Sequence, residues 1–199
     1  MAPHFRNLLC LLSTFRVLLC MASAISQEGE ALLWWKDTLL NSTSLSSWSR
    51  TNPTCSWSGI LCYEDAGHVN ELHLSCSSLN GTLDAFSFAT FQHLTMLDLS
   101  GNNLFGTIPA NISLLRNLNT LDLTDNDLCG AIPYQLSKLS MIVELYLADN
   151  YLRNPDATKF SLVASLQILN LAGNKLNGTF PAFILNRTFV MLLDLRPVV

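Results

Sequence analysis

His73, Met96, Asp98, Asp122, Glu144, Tyr146, Asn170 and Asp194 fall at matching positions of successive short leucine-flanked stretches. Four carboxylates, an imidazole, a phenol, an amide and a thioether on one surface carry the chemistry of recognition. The acids attract ammonium and guanidinium groups, and Tyr146 and Met96 offer apolar contact area. Asp98 and Asp122 also admit a plainer reading, as solvated side chains of the repeat. No catalytic constellation stands out: the sequence has no kinase signature, no Gly-rich phosphate loop and no plausible Ser/His/Asp set. His68 and His73 lack tetrahedral-ligand spacing, so neither a metal nor a cofactor is expected.

The elements that must position these residues repeat every 24 positions. Leu94, Leu97, Leu99, Asn102 and Leu104 recur as Leu118, Leu121, Leu123, Asn126 and Leu128. They return as Ile142, Leu145, Leu147, Asn150 and Leu152, then as Leu166, Leu169, Leu171, Asn174 and Leu176. A first copy, one residue longer, runs through Val69, Leu72, Leu74 and Leu79, and an incomplete sixth begins with Val190, Leu193 and Leu195. Fixed self-similarity at this period predicts a solenoid whose units bury their apolar edges against their neighbours. Alternation of apolar and other residues within each copy predicts a short strand, and stacked copies predict a parallel sheet.

Three columns of outward residues follow from that alternation. One is Glu71, Met96, Thr120, Glu144, Ile168 and Leu192. The central one is His73, Asp98, Asp122, Tyr146, Asn170 and Asp194. The third is Ser75, Ser100, Thr124, Ala148, Ala172 and Arg196. The asparagines at identical phase (Asn102, Asn126, Asn150, Asn174) stand where the backbone leaves the sheet. An amide has donors and an acceptor, so each is expected to satisfy its own turn and the next coil's. Ser77 is a shorter, weaker substitute in the first copy.

Gly106-Thr107-Ile108-Pro109, Gly130-Ala131-Ile132-Pro133 and Gly178-Thr179-Phe180-Pro181 close their copies. This Gly-x-Ile-Pro element in a 24-residue unit resembles the plant-specific class of extracellular leucine-rich repeats, from Val69 to Leu195. Asn154-Pro155-Asp156 replaces it in the fourth copy, predicting an irregular convex side there. Leu32, Trp35 and Leu39 share a helical stripe, with Glu28 and Glu30 near its favourable amino end. That helix, Trp48 and the Cys-flanked Trp57-Ser58-Gly59-Ile60 are similar to the amino-terminal cap of plant receptor-like kinases and receptor-like proteins.

The resemblance implies an α/β leucine-rich repeat solenoid: a short right-handed horseshoe with a parallel concave sheet, a 3-10 or irregular convex side and a helical cap. The expected organisation is a signal peptide at 1–24, a cap at 25–67, and five repeats plus a truncated sixth at 68–196, with no carboxy-terminal cap. It also implies a Cys55–Cys62 disulfide, a zinc site being the rival; Cys76 and Cys129 are read as free or partly buried thiols. Trp35, Trp48 and Trp57 are read as cap packing, against the alternative of a carbohydrate platform.

His4 and Arg6, an apolar segment from Leu8 and Ala22-Ser23-Ala24 resemble a secretory signal with its cleavage site, although Arg16 interrupts the apolar run. Five sequons, at Asn41, Asn80, Asn111, Asn177 and Asn186, are candidate N-glycosylation sites. Net charge is −4, with no basic stripe, which argues against nucleic acid. No run after residue 24 is long and apolar enough for a membrane span.

What the resemblance implies is recognition of a peptide or protein ligand in plant cell-surface signalling or defence, with a co-receptor as a further partner. The protein would be secreted into the apoplast, or held at the outer face of the plasma membrane as part of a longer receptor. A secreted inhibitor of cell-wall-degrading enzymes, like the polygalacturonase-inhibiting proteins, and a receptor fragment without function of its own are the alternatives. Oligomeric state is left open.

Overall fold

In the computed structural model, residues 25–63, 67–161 and 163–177 are described. The signal segment, the sixth copy, Asn186 and Asp194 lie outside the described residues. Ser26 opens helix α1 (Gln27–Thr38) as its N-cap: its hydroxyl accepts the Gly29 N–H at 3.0 Å. Glu28 and Glu30 sit in the first turn, Lys36 in the last. The carboxylate of Glu28 is buried rather than solvated, and it accepts the Val69 N–H at 2.9 Å. One helix-end acid thus ties the cap to the first coil, which the sequence pattern did not foretell.

Leu32, Trp35, Trp48 and Trp57 are buried. Each indole N–H donates to a carbonyl, of Thr82, Ser58 and Asn52 respectively. The Trp48 and Trp57 rings stack at 5.4 Å. Their faces are therefore spent on cap packing and present no saccharide platform. Cys55 and Cys62 are disulfide-bonded, while Cys76 and Cys129 are both free and exposed, not partly buried. Gly59 has φ +80°, and a Cβ there would lie 2.5 Å from the His73 carbonyl oxygen. Only glycine lets the next segment, β1 (Ile60–Cys62), approach so closely.

Each coil supplies an inner strand and, in all but the last described coil, an outer one. They are β2 (Val69–His73) and β3 (Asn80–Gly81), β4 (Met96–Asp98) and β5 (Asn103–Thr107), and β6 (Thr120–Asp122) and β7 (Asp127–Ala131). β8 (Glu144–Tyr146), β9 (Tyr151–Arg153) and β10 (Ile168–Asn170) complete the set. The inner sheet runs β1-β2-β4-β6-β8-β10 and the outer one β3-β5-β7-β9. All neighbours are parallel except β1, which pairs antiparallel with β2.

The two sheets step differently. Leu97 pairs with Leu121 on the inner face, a full period on, whereas Phe105 pairs with Asp127 and Cys129 with Tyr151 on the outer face, two residues short of it. Successive coils are skewed, not stacked squarely. Between the sheets, Leu72, Leu94, Leu97, Leu99, Leu118, Leu121 and Leu123 are fully buried, and the core is one continuous cluster from cap to last coil.

Asn126 shows what the asparagine ladder does. Its Nδ2 donates to Leu123 and Thr124 carbonyls of its own coil and to the Leu99 carbonyl, while its Oδ1 accepts the Leu104 N–H. Asn102, Asn150 and Asn174 repeat the pattern. The coil served is the preceding one, not the next as expected, because each amide faces the strand exit on its amino-terminal side. Ser77 keeps just one such bond, to the Ser75 carbonyl.

Pro109 and Pro133 precede 3-10 turns at Ala110–Leu114 and Tyr134–Lys138 on the convex side. No 3-10 turn follows β9 among the described residues. There Asp156 Oδ1 accepts from the N–H and hydroxyl of Thr158, and Asn154 Oδ1 accepts the Asn177 N–H. The fourth copy is irregular where its Gly-x-Ile-Pro element is missing.

Candidate recognition surface

The inner sheet turns alternate side chains away from the core and lines them up strand by strand. His73 pairs with Asp98, Asp98 with Asp122, Asp122 with Tyr146, and Tyr146 with Asn170. Beside this central column stand Glu71, Met96, Thr120, Glu144 and Ile168, equally in register. The structure therefore gathers His73, Met96, Asp98, Asp122, Glu144, Tyr146 and Asn170 on one face, spaced by about 4.8 Å per strand. In the third column Ala148 is buried rather than open to solvent.

The central acids have two jobs. Asp98 Oδ1 accepts both the N–H and the hydroxyl of Ser100, and Asp122 Oδ1 accepts the N–H of Thr124. Asn170 Oδ1 does the same for Ala172. Each such bond satisfies an amide where the strand ends, so one oxygen of each side chain serves the turn instead of standing solvated. Among the described residues nothing hydrogen-bonds Oδ2 of either aspartate, which leaves it for the face. Burial pushes the Asp122 carboxyl above its ordinary value; Thr124 opposes this and the neighbouring Asp98 adds to it. Burial, then Glu144 and Asp122, likewise raises the Tyr146 phenol, which stays a donor at neutral pH.

The amino-terminal edge is arranged differently. Tyr63 donates its hydroxyl to Glu71 Oε1 at 2.6 Å, and His73 Nε2 lies 2.7 Å from Glu71 Oε2. The Tyr63 hydrogen bond, then His73, holds the Glu71 carboxyl below its usual value against the effect of burial. His73 is thus occupied by its own neighbour. Tyr63 was not foreseen as a partner, because its placement depends on β1, a strand too short to be read from alternation.

Among the described residues the three columns hold no Lys or Arg. The acids at Asp98, Asp122 and Glu144 have no cationic partner among the described residues, where Glu144 accepts a 3.4 Å bond from the Thr120 hydroxyl. No described group of three His, Cys, Asp or Glu is arranged to hold a metal, and no described helix is long and apolar enough to cross a membrane. Asn111 sits in a convex turn, Asn80 in β3, and Asn41 is bridged to Asn80, so these sequons leave the inner sheet open.

Comparison with known proteins agrees with this architecture. A leucine-rich repeat N-terminal domain model matches residues 25–63, and leucine-rich repeat models match 67–128 and 165–186. MDIS1-interacting receptor like kinase 2 of Arabidopsis thaliana is 40% identical over 111 residues, 52% of this chain and 10% of that protein. The BIR2 ectodomain from Arabidopsis thaliana superposes with a TM-score of 0.71 at 33% identity, covering 79% of this chain and 85% of that one. The Arabidopsis receptor kinase HAESA, in complex with the peptide hormone IDA and the co-receptor SERK1, gives a TM-score of 0.64 at 30% identity. That match covers 85% of this chain and 33% of the other. The chain spans only 8–10% of the length of the first curated relatives it matches. With a capped solenoid of this repeat type and a near-complete ectodomain match, the chain belongs to the plant extracellular leucine-rich repeat family, whose members form the ectodomains of receptor-like kinases and receptor-like proteins.

Proposed function

We propose that this chain is an extracellular recognition module that binds an extended, basic peptide or protein segment across its inner sheet. Residues 1–24 serve as its secretory leader, 25–67 as its cap and 68–196 as its repeats. It works in plant cell-surface signalling or defence, secreted or as the outer part of a receptor, with a co-receptor completing the complex. The carrying observation is the in-register pair Asp98 and Asp122, with Glu144 one column over on the next strand, and no cation, neither Lys nor Arg, among the described residues of the three columns to meet them. Lysine or arginine side chains supply that cation, and Tyr146 and Met96 flank it with apolar area. HAESA, bound to a peptide hormone and a co-receptor, supports the reading by likeness of fold.

Panning a displayed library of random linear peptides against the secreted protein tests it. The account expects recovered peptides rich in Lys and Arg whose binding is lost by Tyr146→Arg and kept by Gln135→Arg in the convex turn Tyr134–Lys138. Peptides without basic enrichment, or indifferent to Tyr146→Arg, would overturn it.

A further inference from the structure

A groove of about 370 Å³ runs along the flank where the chain passes from the inner to the outer sheet. Asn103, Asp125, Asp127, Asp149, Tyr151 and Lys175 line it, from four successive coils. Among the described residues, none of the lining carboxylates, nor the Asn103 amide or the Tyr151 hydroxyl, has a side-chain hydrogen-bond partner. Lys175 Nζ lies 4.5 Å from the centroid of the Tyr151 ring, which is nearly half exposed. Carboxylates, an amide, one ammonium and an open aromatic ring form a surface for a polyhydroxylated ligand. Hydroxyl and acetamido N–H groups donate to the carboxylates, oxygens accept from Lys175, and the ring takes the C–H face of a pyranose.

The amino-terminal end of this groove adjoins a sequon. Asn80 and Asn103 are in-register partners on β3 and β5, and both face outward, since the intervening Gly81 and Leu104 are buried. Among the described residues the Asn80 side chain has no hydrogen-bond partner. Asn41, bridged to Asn80 on the other side, differs: its Nδ2 donates to the Ser78 carbonyl and its Oδ1 accepts from Thr43. From Asn80 to Tyr151 is three strand spacings, about 14 Å. The pyranose core of an N-linked glycan can span that distance.

We propose that Asn80 is glycosylated and that its glycan core lies along this groove, its N-acetyl groups over Asp125 and Asp127 and a sugar face on Tyr151. The glycan then pins four coils together along their flank, away from the recognition sheet. Asn80 and the groove, not the inner-sheet acids, carry this inference.

The test uses the full chain secreted from a eukaryotic host, with Asn80 occupancy read by peptide mass spectrometry. Tyr151→Ala and Asp127→Ala are each melted in two backgrounds, glycosylated and Asn80→Gln. Coupling appears as a non-additive cycle. The expected result is occupied Asn80, and a Tm loss of about 2–4 °C for each groove variant with the glycan, against under about 1 °C without it. An unoccupied Asn80, or equal losses in both backgrounds, overturns the proposal. Should Tyr151→Ala fail to be secreted, the Asp127→Ala cycle decides alone.

Discussion

Asp98 and Asp122 stand side by side on adjacent parallel strands, each spending one carboxylate oxygen on the amide two residues ahead and leaving the other to the open face. Two like charges about 4.8 Å apart repel, and half-burial aggravates the cost at Asp122. The arrangement is unfavourable in the free protein and relieved when a cation binds.

Asp122→Asn should therefore stabilise the free protein while weakening basic ligands. The amide oxygen still accepts from Thr124, and the repulsion disappears. The sign follows from the raised carboxyl: it contributes stability present below the ordinary aspartate range of about 4 and lost as pH rises through the folded value. At neutral pH the wild type lacks it. A gain of about 0.2–1 kcal/mol in urea unfolding near pH 7, shrinking toward pH 4, is expected. A loss of stability would mean that the charge itself supports the fold.

Asn150→Ala should cost about 1–3 kcal/mol, because the buried Leu128 N–H loses its acceptor and the Leu123 carbonyl keeps only the longer of its two amide donors, from Asn126. Ser77→Ala removes a single bond to the Ser75 carbonyl and should cost less than about 1 kcal/mol. Chemical denaturation of the two variants side by side checks the ranking. Equal midpoints would show that the asparagine ladder contributes no more than an ordinary turn residue.

Replacing Cys55 and Cys62 together by Ala should lower stability by about 2–3 kcal/mol, the closure of a short loop in the chain-entropy view. Hydrogen exchange should rise first at β1, the edge strand that the bridge fastens. Unchanged protection at Leu61 and Cys62 positions would show that pairing with β2 alone holds the edge.

Tyr63→Phe should shift the acid limb of unfolding to higher pH. Glu71 is held below its ordinary value, so its contribution is present above that value and lost as pH falls through the folded one. Removing the phenol removes the main cause of the lowering, leaving His73. Because Tyr63 is exposed, the shift is small; identical acid limbs would dissociate Tyr63 from Glu71 in solution.

The repeat period and the alternation around Leu97 and Leu99 made the solenoid, the strand phases and the outward columns legible before any coordinates. They did so because leucine burial and asparagine pairing recur with the geometry of the coil. What escaped the pattern is non-repeating. β1 is three residues long, Glu28 reaches Val69 across the cap seam, and the skew between inner and outer sheets depends on packing, not on period. The strand-end bonds of Asp98 and Asp122 were open to either reading, since one side chain serves both the turn and the face. The ladder's direction was misread because an amide's chemistry is the same toward either neighbour.

The most direct measurement is the affinity of peptides recovered by panning for the wild type and for Asp98→Asn/Asp122→Asn, between 50 and 200 mM salt. The account predicts at least a tenfold weaker complex for the double variant, about 1.4 kcal/mol or more, and a shallower salt dependence. Equal affinity and equal salt dependence in the two proteins would contradict it, and would take recognition away from the aspartate pair.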